Sequence, residues 1–332
     1  MTSTTVPSSS ALSFSSSSSS NSAAHSHNSE DDSSSAPAQQ QQQQPSNTKP
    51  YFTYRLGSSL YVPLTSRSNT VTLPASRGPR FVLPAHAVAA LCRVRDAEAD
   101  VAQFEHWCRW LETQDGSLAL PEDKRERSLS LDRPTVAELL HEIQQQVQQN
   151  AQCPLFHSIV IAGEGEPLVR MSDLRDLIQQ IRALETGMAL RLTTNGLVPT
   201  ISSSTVSTQD DDENVPLLLQ QAGLDAVSVA LQTDDAAQYD AWMKPEEDDN
   251  DDSSSSENSS SAHARVCRFI HQAVQAGLTV EATAVERPEV SPDSVQALSE
   301  SLGVSGAVRW RPYFGAAPEA GSRGGLWQQW FG

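Results

Sequence analysis

From Pro50 onward, short apolar runs alternate with longer stretches in which apolar residues recur every three or four positions. The runs Leu60–Leu64 and Ser158–Ala162, and the segments 188–196, 225–232, 278–286 and 307–315, read as strands. Between them lie helical patterns. The stretch 84–114 places Val88, Leu91, Cys92 and Val94, then Val101, Phe104, Trp107, Cys108 and Leu111, at helical spacing. Further helices are expected over 133–149, with Pro134 at an early position, and over 172–187, with Ser172 as N-cap and Gly187 as stop. The segments 215–223, 234–243, 262–277 and 291–304 complete the set.

Six strand–helix alternations predict parallel β/α layering with helices on the outside. Right-handed crossovers curl such units into a partial (β/α)6 TIM-like barrel, with the chemistry at the C-terminal ends of the strands.

Composition changes the boundaries. Residues 1–50 are rich in Ser, contain the run Gln39–Gln44 and hold almost no large apolar side chains, so they are expected to be a disordered arm. Two acidic, Ser-rich tracts, 202–214 and 245–261, read as disordered insertions in a barrel spanning 51–332. Excluding all three leaves on the order of 250 residues, the size of one α/β barrel. The same segments carry most of the formal net charge of −18. Acidic tracts repel phosphates, so nucleic acid is not an expected partner.

The four cysteines, Cys92, Cys108, Cys153 and Cys267, form no C-x-x-C pair, which suggests reduced thiols in an intracellular, cytoplasmic setting. Cys92 and Cys108 fall on an apolar stripe and read as core. No apolar run approaches the roughly 18 residues of a membrane span. The first 29 residues are Ser-rich and acid-poor like an organelle transit peptide, yet they contain no Arg or Lys. His157 and His271 lack a partner at metal-ligand spacing and read as structural.

At the strand ends the most informative stretch is "AGEGEPLVR", where Gly163, Gly165 and Pro167 force a turn poor in side chains and Glu166 sits in its middle. "LTTNGL" offers Thr194 and Asn195, "VSVALQ" offers Ser228 and Gln232, and the first strand runs into the polar loop "LTSRSNTVTLPASR".

In this order, "LYVPLTSRSN", "IVIAGEGEPLVRMSDL", "LRLTTNGL", "DAVSVALQTDDAAQYDAWMKP" and "VEATAVERPEV" resemble the radical SAM superfamily, in particular its TatD-associated members, over roughly Tyr61 to Phe314. The resemblance implies that Gly165, Glu166 and Pro167 hold the amino group of S-adenosylmethionine, a small nucleoside-type ligand. It also implies that Thr194, Asn195, Ser228 and Gln232 face the same cavity. The family's C-x-x-x-C-x-x-C ligand set for a [4Fe–4S] cluster aligns with Ser68, Thr72 and Ala75, so no metal ligand remains and the cluster is expected to be absent. The leading expectation is a radical-SAM-like barrel that has lost the cluster site and keeps an S-adenosylmethionine-type pocket. Two alternatives stand beside it: a non-catalytic scaffold acting through the acidic insertions on an unknown protein partner, and an active radical SAM enzyme with an atypical iron–sulfur site. Whether the chain is an enzyme stays open at this level.

Overall fold

The computed structural model describes residues 51–94, 133–199, 214–246 and 261–315. The arm 1–50, the 84–114 helix from residue 95 on with Cys108, and the acidic tracts apart from Asn214, Pro245, Glu246 and Ser261 lie outside the described residues.

A seven-stranded sheet runs in chain order: β1 (Tyr54–Leu56), β2 (Ser59–Val62), β3 (Ser158–Ile161), β4 (Ala189–Thr194), β5 (Ala226–Ala230), β6 (Thr279–Glu286) and β7 (Arg309–Pro312). The pair β1–β2 is an antiparallel hairpin turned at Gly57, which has φ +54°. Every later pairing, β2–β3 through β6–β7, is parallel. The six parallel strands are those expected from the apolar runs, and the sheet is a half-barrel. The short β1 was not legible in the pattern.

The helices are α1 (Leu73–Ser76), α2 (Ala85–Leu91), α3 (Val136–Gln152), α4 (Met171–Ala183), α5 (Val215–Ala222), α6 (Ala236–Met243), α7 (Ala262–Gln275) and α8 (Pro292–Ser301). Their starts follow from capping. Thr135 and Glu138 form a reciprocal capping box for α3. Asp235, Ser261 and Ser291 accept first-turn N–H groups at α6, α7 and α8. Helix α4 departs from expectation. A 3₁₀ turn, Pro167–Arg170, feeds into it directly, so Ser172 lies inside the helix and Arg170 stands at its start, bonded through Nε to Asp173 at 2.9 Å. The helix ends at Ala183, and Gly187 turns the chain beyond it.

Alternation along the strands sorts side chains into two layers. Leu60, Val62, Ile159, Ile161, Leu190, Leu192, Val227, Val229, Ala282 and Ala284 face the helices and pack with Leu139, Ile143, Leu177, Ile178, Val266 and Ile270 in one core. At roughly 25 cal/mol per Å² of apolar surface removed from water, this layer supplies the main drive for folding. The opposite, concave face carries Tyr61, Arg191, Thr193, Ser228, Glu281, Thr283, Arg309 and Arg311.

Glu142 of α3 anchors the entry to the barrel. Its buried carboxylate accepts from the backbone N–H groups of Tyr51, Phe52 and Thr53 and from the Thr53 hydroxyl, at 2.6–3.1 Å. Cys92, at the end of α2, is buried as expected, whereas Cys153 is exposed. None of the described helices is long and apolar enough to cross a membrane.

Candidate functional site

The turn after β3 is shaped by a close approach of backbones. A Cβ on Gly165 would lie 2.3 Å from the Arg67 carbonyl oxygen, 2.6 Å from the Ser66 carbonyl carbon and 2.7 Å from the Thr65 oxygen. The Gly165 N–H donates to the Thr65 carbonyl at 3.3 Å, and the Glu166 N–H to the Arg67 carbonyl at 2.8 Å. Only glycine lets these two loops, following β2 and β3, lie side by side.

This contact points Glu166 across the strand ends. Its carboxylate is 2 % exposed. Oε1 accepts from the Leu168 N–H at 3.0 Å and the Thr194 hydroxyl at 2.7 Å, and Oε2 from the Asn195 N–H at 2.6 Å. Asn195 extends the network. Its amide nitrogen donates to Asn69 Oδ1 at 2.7 Å and Thr70 Oγ1 at 3.0 Å, and its Oδ1 accepts from the Leu197 N–H at 2.8 Å. Asn69 closes the ring on the Leu197 carbonyl at 2.9 Å. Burial pushes the Glu166 carboxyl up to about 7, although three hydrogen bonds pull the other way. Among the described residues no cation pairs with it. Tyr239, within electrostatic reach of Glu166, has a buried hydroxyl with no hydrogen-bond partner among the described residues. Burial first and the Glu166 charge second raise the pKa of that phenol.

The structure therefore brings together Gly165, Glu166, Pro167, Thr194 and Asn195. Ser228 lies elsewhere, donating to Glu281 Oε2 at 2.8 Å on the concave face. Gln232, at φ +64°, donates to Ser76 Oγ at 3.4 Å. Asn69 and Thr70 were not anticipated; the only signal was their place in the polar loop after the first parallel strand.

That loop folds back over the open edge of the half-barrel. Helix α1 lies within it, and Arg287 Nη2 donates to the Ser76 carbonyl at 3.0 Å. The Phe314 N–H donates to the Arg77 carbonyl at 2.7 Å, and the Arg77 guanidinium lies 4.1 Å from the Phe81 ring centroid. Burial, with Arg311 next, pushes Arg77 down to about 10.

The positions aligned with cluster ligands have local work. Ser68 Oγ accepts from the Thr70 N–H at 3.3 Å, and Thr72 Oγ1 accepts from the Ala75 N–H at 3.3 Å as the cap of α1. Ala75 is helical and has no donor atom. Iron–sulfur clusters take thiolates, so two capping hydroxyls and a methyl do not fit one. Among the described residues no group of three His, Cys, Asp or Glu side chains is placed to hold a metal ion. His157 contributes a backbone bond to Ser58, and exposed His271 contacts the Leu302 carbonyl at 3.4 Å and Gln275.

No protein-family model matches the chain, and no curated protein does. Among solved structures, the chain is similar to Streptococcus suis SuiB bound to S-adenosylmethionine, at 16 % identity and TM-score 0.39, over 57 % of this chain and 36 % of that one. It is similar to the radical S-adenosylmethionine methyltransferase TsrM from Kitasatospora setae, at 15 % identity and TM-score 0.33, over 52 % of this chain and 28 % of that one. It is also similar to methylornithine synthase PylB, at 18 % identity and TM-score 0.34, over 55 % and 45 % of the two chains. The chain covers under half the length of each of these three proteins, and each likeness is partial and low-scoring.

Proposed function

We propose that this protein is a half-barrel that binds an S-adenosylmethionine-type ligand at the C-terminal ends of β3 and β4 without an iron–sulfur cluster. The single observation that carries the reading is Glu166, a buried carboxylate with three donors and, among the described residues, no cation, at the strand ends where parallel α/β folds bind ligands. An ammonium group brought by a ligand supplies the missing charge. The sequence resemblance names the matching chemistry, a ligand whose amino group meets the Gly165–Pro167 turn. Thr194 and Asn195 hold that turn in position.

Reductive cleavage of such a ligand needs an electron from a cluster, and Ser68, Thr72 and Ala75 offer no thiolate. The reading is therefore of a binding protein, or of an enzyme working without a radical. Anaerobic reconstitution with iron and sulfide, followed by metal and acid-labile sulfide analysis, tests this half of the proposal. The expected result is iron at background level. About four irons per chain with matching sulfide, the content of a [4Fe–4S] cluster, would overturn it.

A further inference from the structure

The concave face holds a second cluster, remote from the Glu166 network in its bonding and unused by the reading above. Arg191 of β4 reaches Glu281 Oε2 of β6 at 3.1 Å, and Arg309 of β7 approaches the same carboxylate at 3.5 Å. Ser228 of β5 donates to that carboxylate at 2.8 Å. Register explains the grouping: Ser228 lies opposite Glu281, Arg309 opposite Thr283, and Arg311 two residues further toward the mouth. Burial would raise the Glu281 pKa, but the Ser228 hydroxyl and the guanidiniums of Arg309, Arg191 and Arg311 outweigh it, and the net shift is downward. Glu281 is therefore an ionised carboxylate bonded to Arg191 and Arg309 and within electrostatic reach of Arg311.

One carboxylate leaves an excess of positive charge. Arg311 is half-buried and its side chain, among the described residues, makes no hydrogen bond or ion pair; Arg77 of the β2–α2 loop lies within electrostatic reach of it. Tyr61 of β2 lies within electrostatic reach of Arg311, so the cluster faces the opposite wall of the half-barrel. Each guanidinium has five N–H donors in a fixed fork. Arg191 and Arg309 each use one nitrogen on Glu281, and Arg311 uses none. Like charges carried by one scaffold, with unused donors on the same concave face, form the complement of a bidentate oxyanion.

We propose that Arg191 and Arg309, tied to the Ser228-bonded Glu281, form with Arg311 an oxyanion subsite on the concave face that takes a phosphate or carboxylate group of a small ligand. The strands that carry its arginines, β4 and β7, flank β5 and β6, which carry Ser228 and Glu281, so the subsite is built on the sheet and preorganised before any ligand arrives. The assignment does not depend on a ligand at Glu166.

Calorimetric titration of the full chain with pyrophosphate and, separately, with succinate tests it. One-to-one binding is expected for at least one probe, and which probe binds assigns phosphate or carboxylate. Affinity should fall with added chloride and drop tenfold or more in Arg311→Gln. Arg311→Lys should recover part of the loss, since an ammonium keeps the charge without the fork. Arg55→Gln, on the exposed side of β1, serves as a charge-matched control and should bind as the wild type does. Without ligand, Arg311→Gln is expected to raise the melting temperature, because it relieves repulsion, and the probe should stabilise the wild type more than the variant. If Arg311→Gln does not fold, Arg309→Gln, at a half-exposed side chain, is read in its place. Failure of both probes to bind, or unchanged affinity in the folded arginine variant, overturns the proposal.

Discussion

Gly165→Ala is expected to destabilise the fold by about 3 kcal/mol or more, the upper range for forcing a group into a packed site. The methyl would enter the space of three backbone atoms, the Thr65 and Arg67 oxygens and the Ser66 carbonyl carbon, all within 2.7 Å. Backbone cannot swing aside as the end of a long side chain can. The loops after β2 and β3 must separate, and the two hydrogen bonds from Gly165 and Glu166 to Thr65 and Arg67 weaken with them. Gly306→Ala is the matched control, because a Cβ there meets nothing within 4 Å. Urea denaturation should show the midpoint of Gly165→Ala lowered by on the order of 1 M, and that of Gly306→Ala nearly unchanged. Equal midpoints for Gly165→Ala and wild type would mean that the two loops do not touch as described.

The second large effect concerns pH. Glu166 has a carboxyl raised from 4.5 to about 7, chiefly by burial. The folded state therefore binds a proton more tightly at this site than the unfolded chain does. Between those two values the folded protein holds more protons, so its stability falls as pH rises. Below about 4.5 both states are protonated, and above about 7 both are ionised, so the slope is confined to that window. The span corresponds to roughly 3 kcal/mol. Glu166→Gln mimics the protonated acid and should lack the slope. From pH 4 to 8 the unfolding free energy of the wild type should fall by about that amount relative to that of Glu166→Gln. Parallel curves would show that the carboxylate is not desolvated.

Much of the scaffold was legible in the sequence, for identifiable reasons. Runs such as Ile159–Ile161 and Val227–Val229 are apolar on one face or both because the sheet is covered by helices, and the intervening stripes give α3, α7 and α8 directly. Short or nonlocal features escaped. Helix α1 is a four-residue element nucleated by the Thr72 cap inside a polar loop, too brief to leave a period. Ser172 looks like a cap in isolation, but the 3₁₀ turn begun at Pro167 already supplies the first turn before it. Within the candidate site, the turn Gly165–Pro167 announces itself through glycine and proline. The Asn69–Asn195 bond joins residues 126 positions apart and leaves no local trace. Ser228 lies opposite Thr193 in the register, and its bond to Glu281 on the concave face joins residues 53 positions apart and likewise leaves no local trace. The pair Arg309 and Arg311 carries a period-two signal that becomes informative only when the register sets Arg309 opposite Thr283, two residues from the Glu281 that Arg191 also reaches.

The loop between β2 and α2 links these findings. It lies against the Glu166 turn at one end and against the residues after β7 at the other, through Arg77, Phe81 and Phe314. Where the resemblance places a thiolate cluster, this chain has a capped helix fastened by Arg287 and Gln232. The loop is thus a built part of the mouth, with its polar side chains spent on structure.

Calorimetric titration of the untreated, iron-free protein with S-adenosylmethionine at pH 7.5 and pH 6.0 tests the central claim most directly. The account predicts micromolar one-to-one binding at pH 7.5. Binding should weaken at pH 6.0, where Glu166 holds a proton, and be lost in a folded Glu166→Gln variant. No binding at either pH, or binding that Glu166→Gln leaves unchanged, would contradict it.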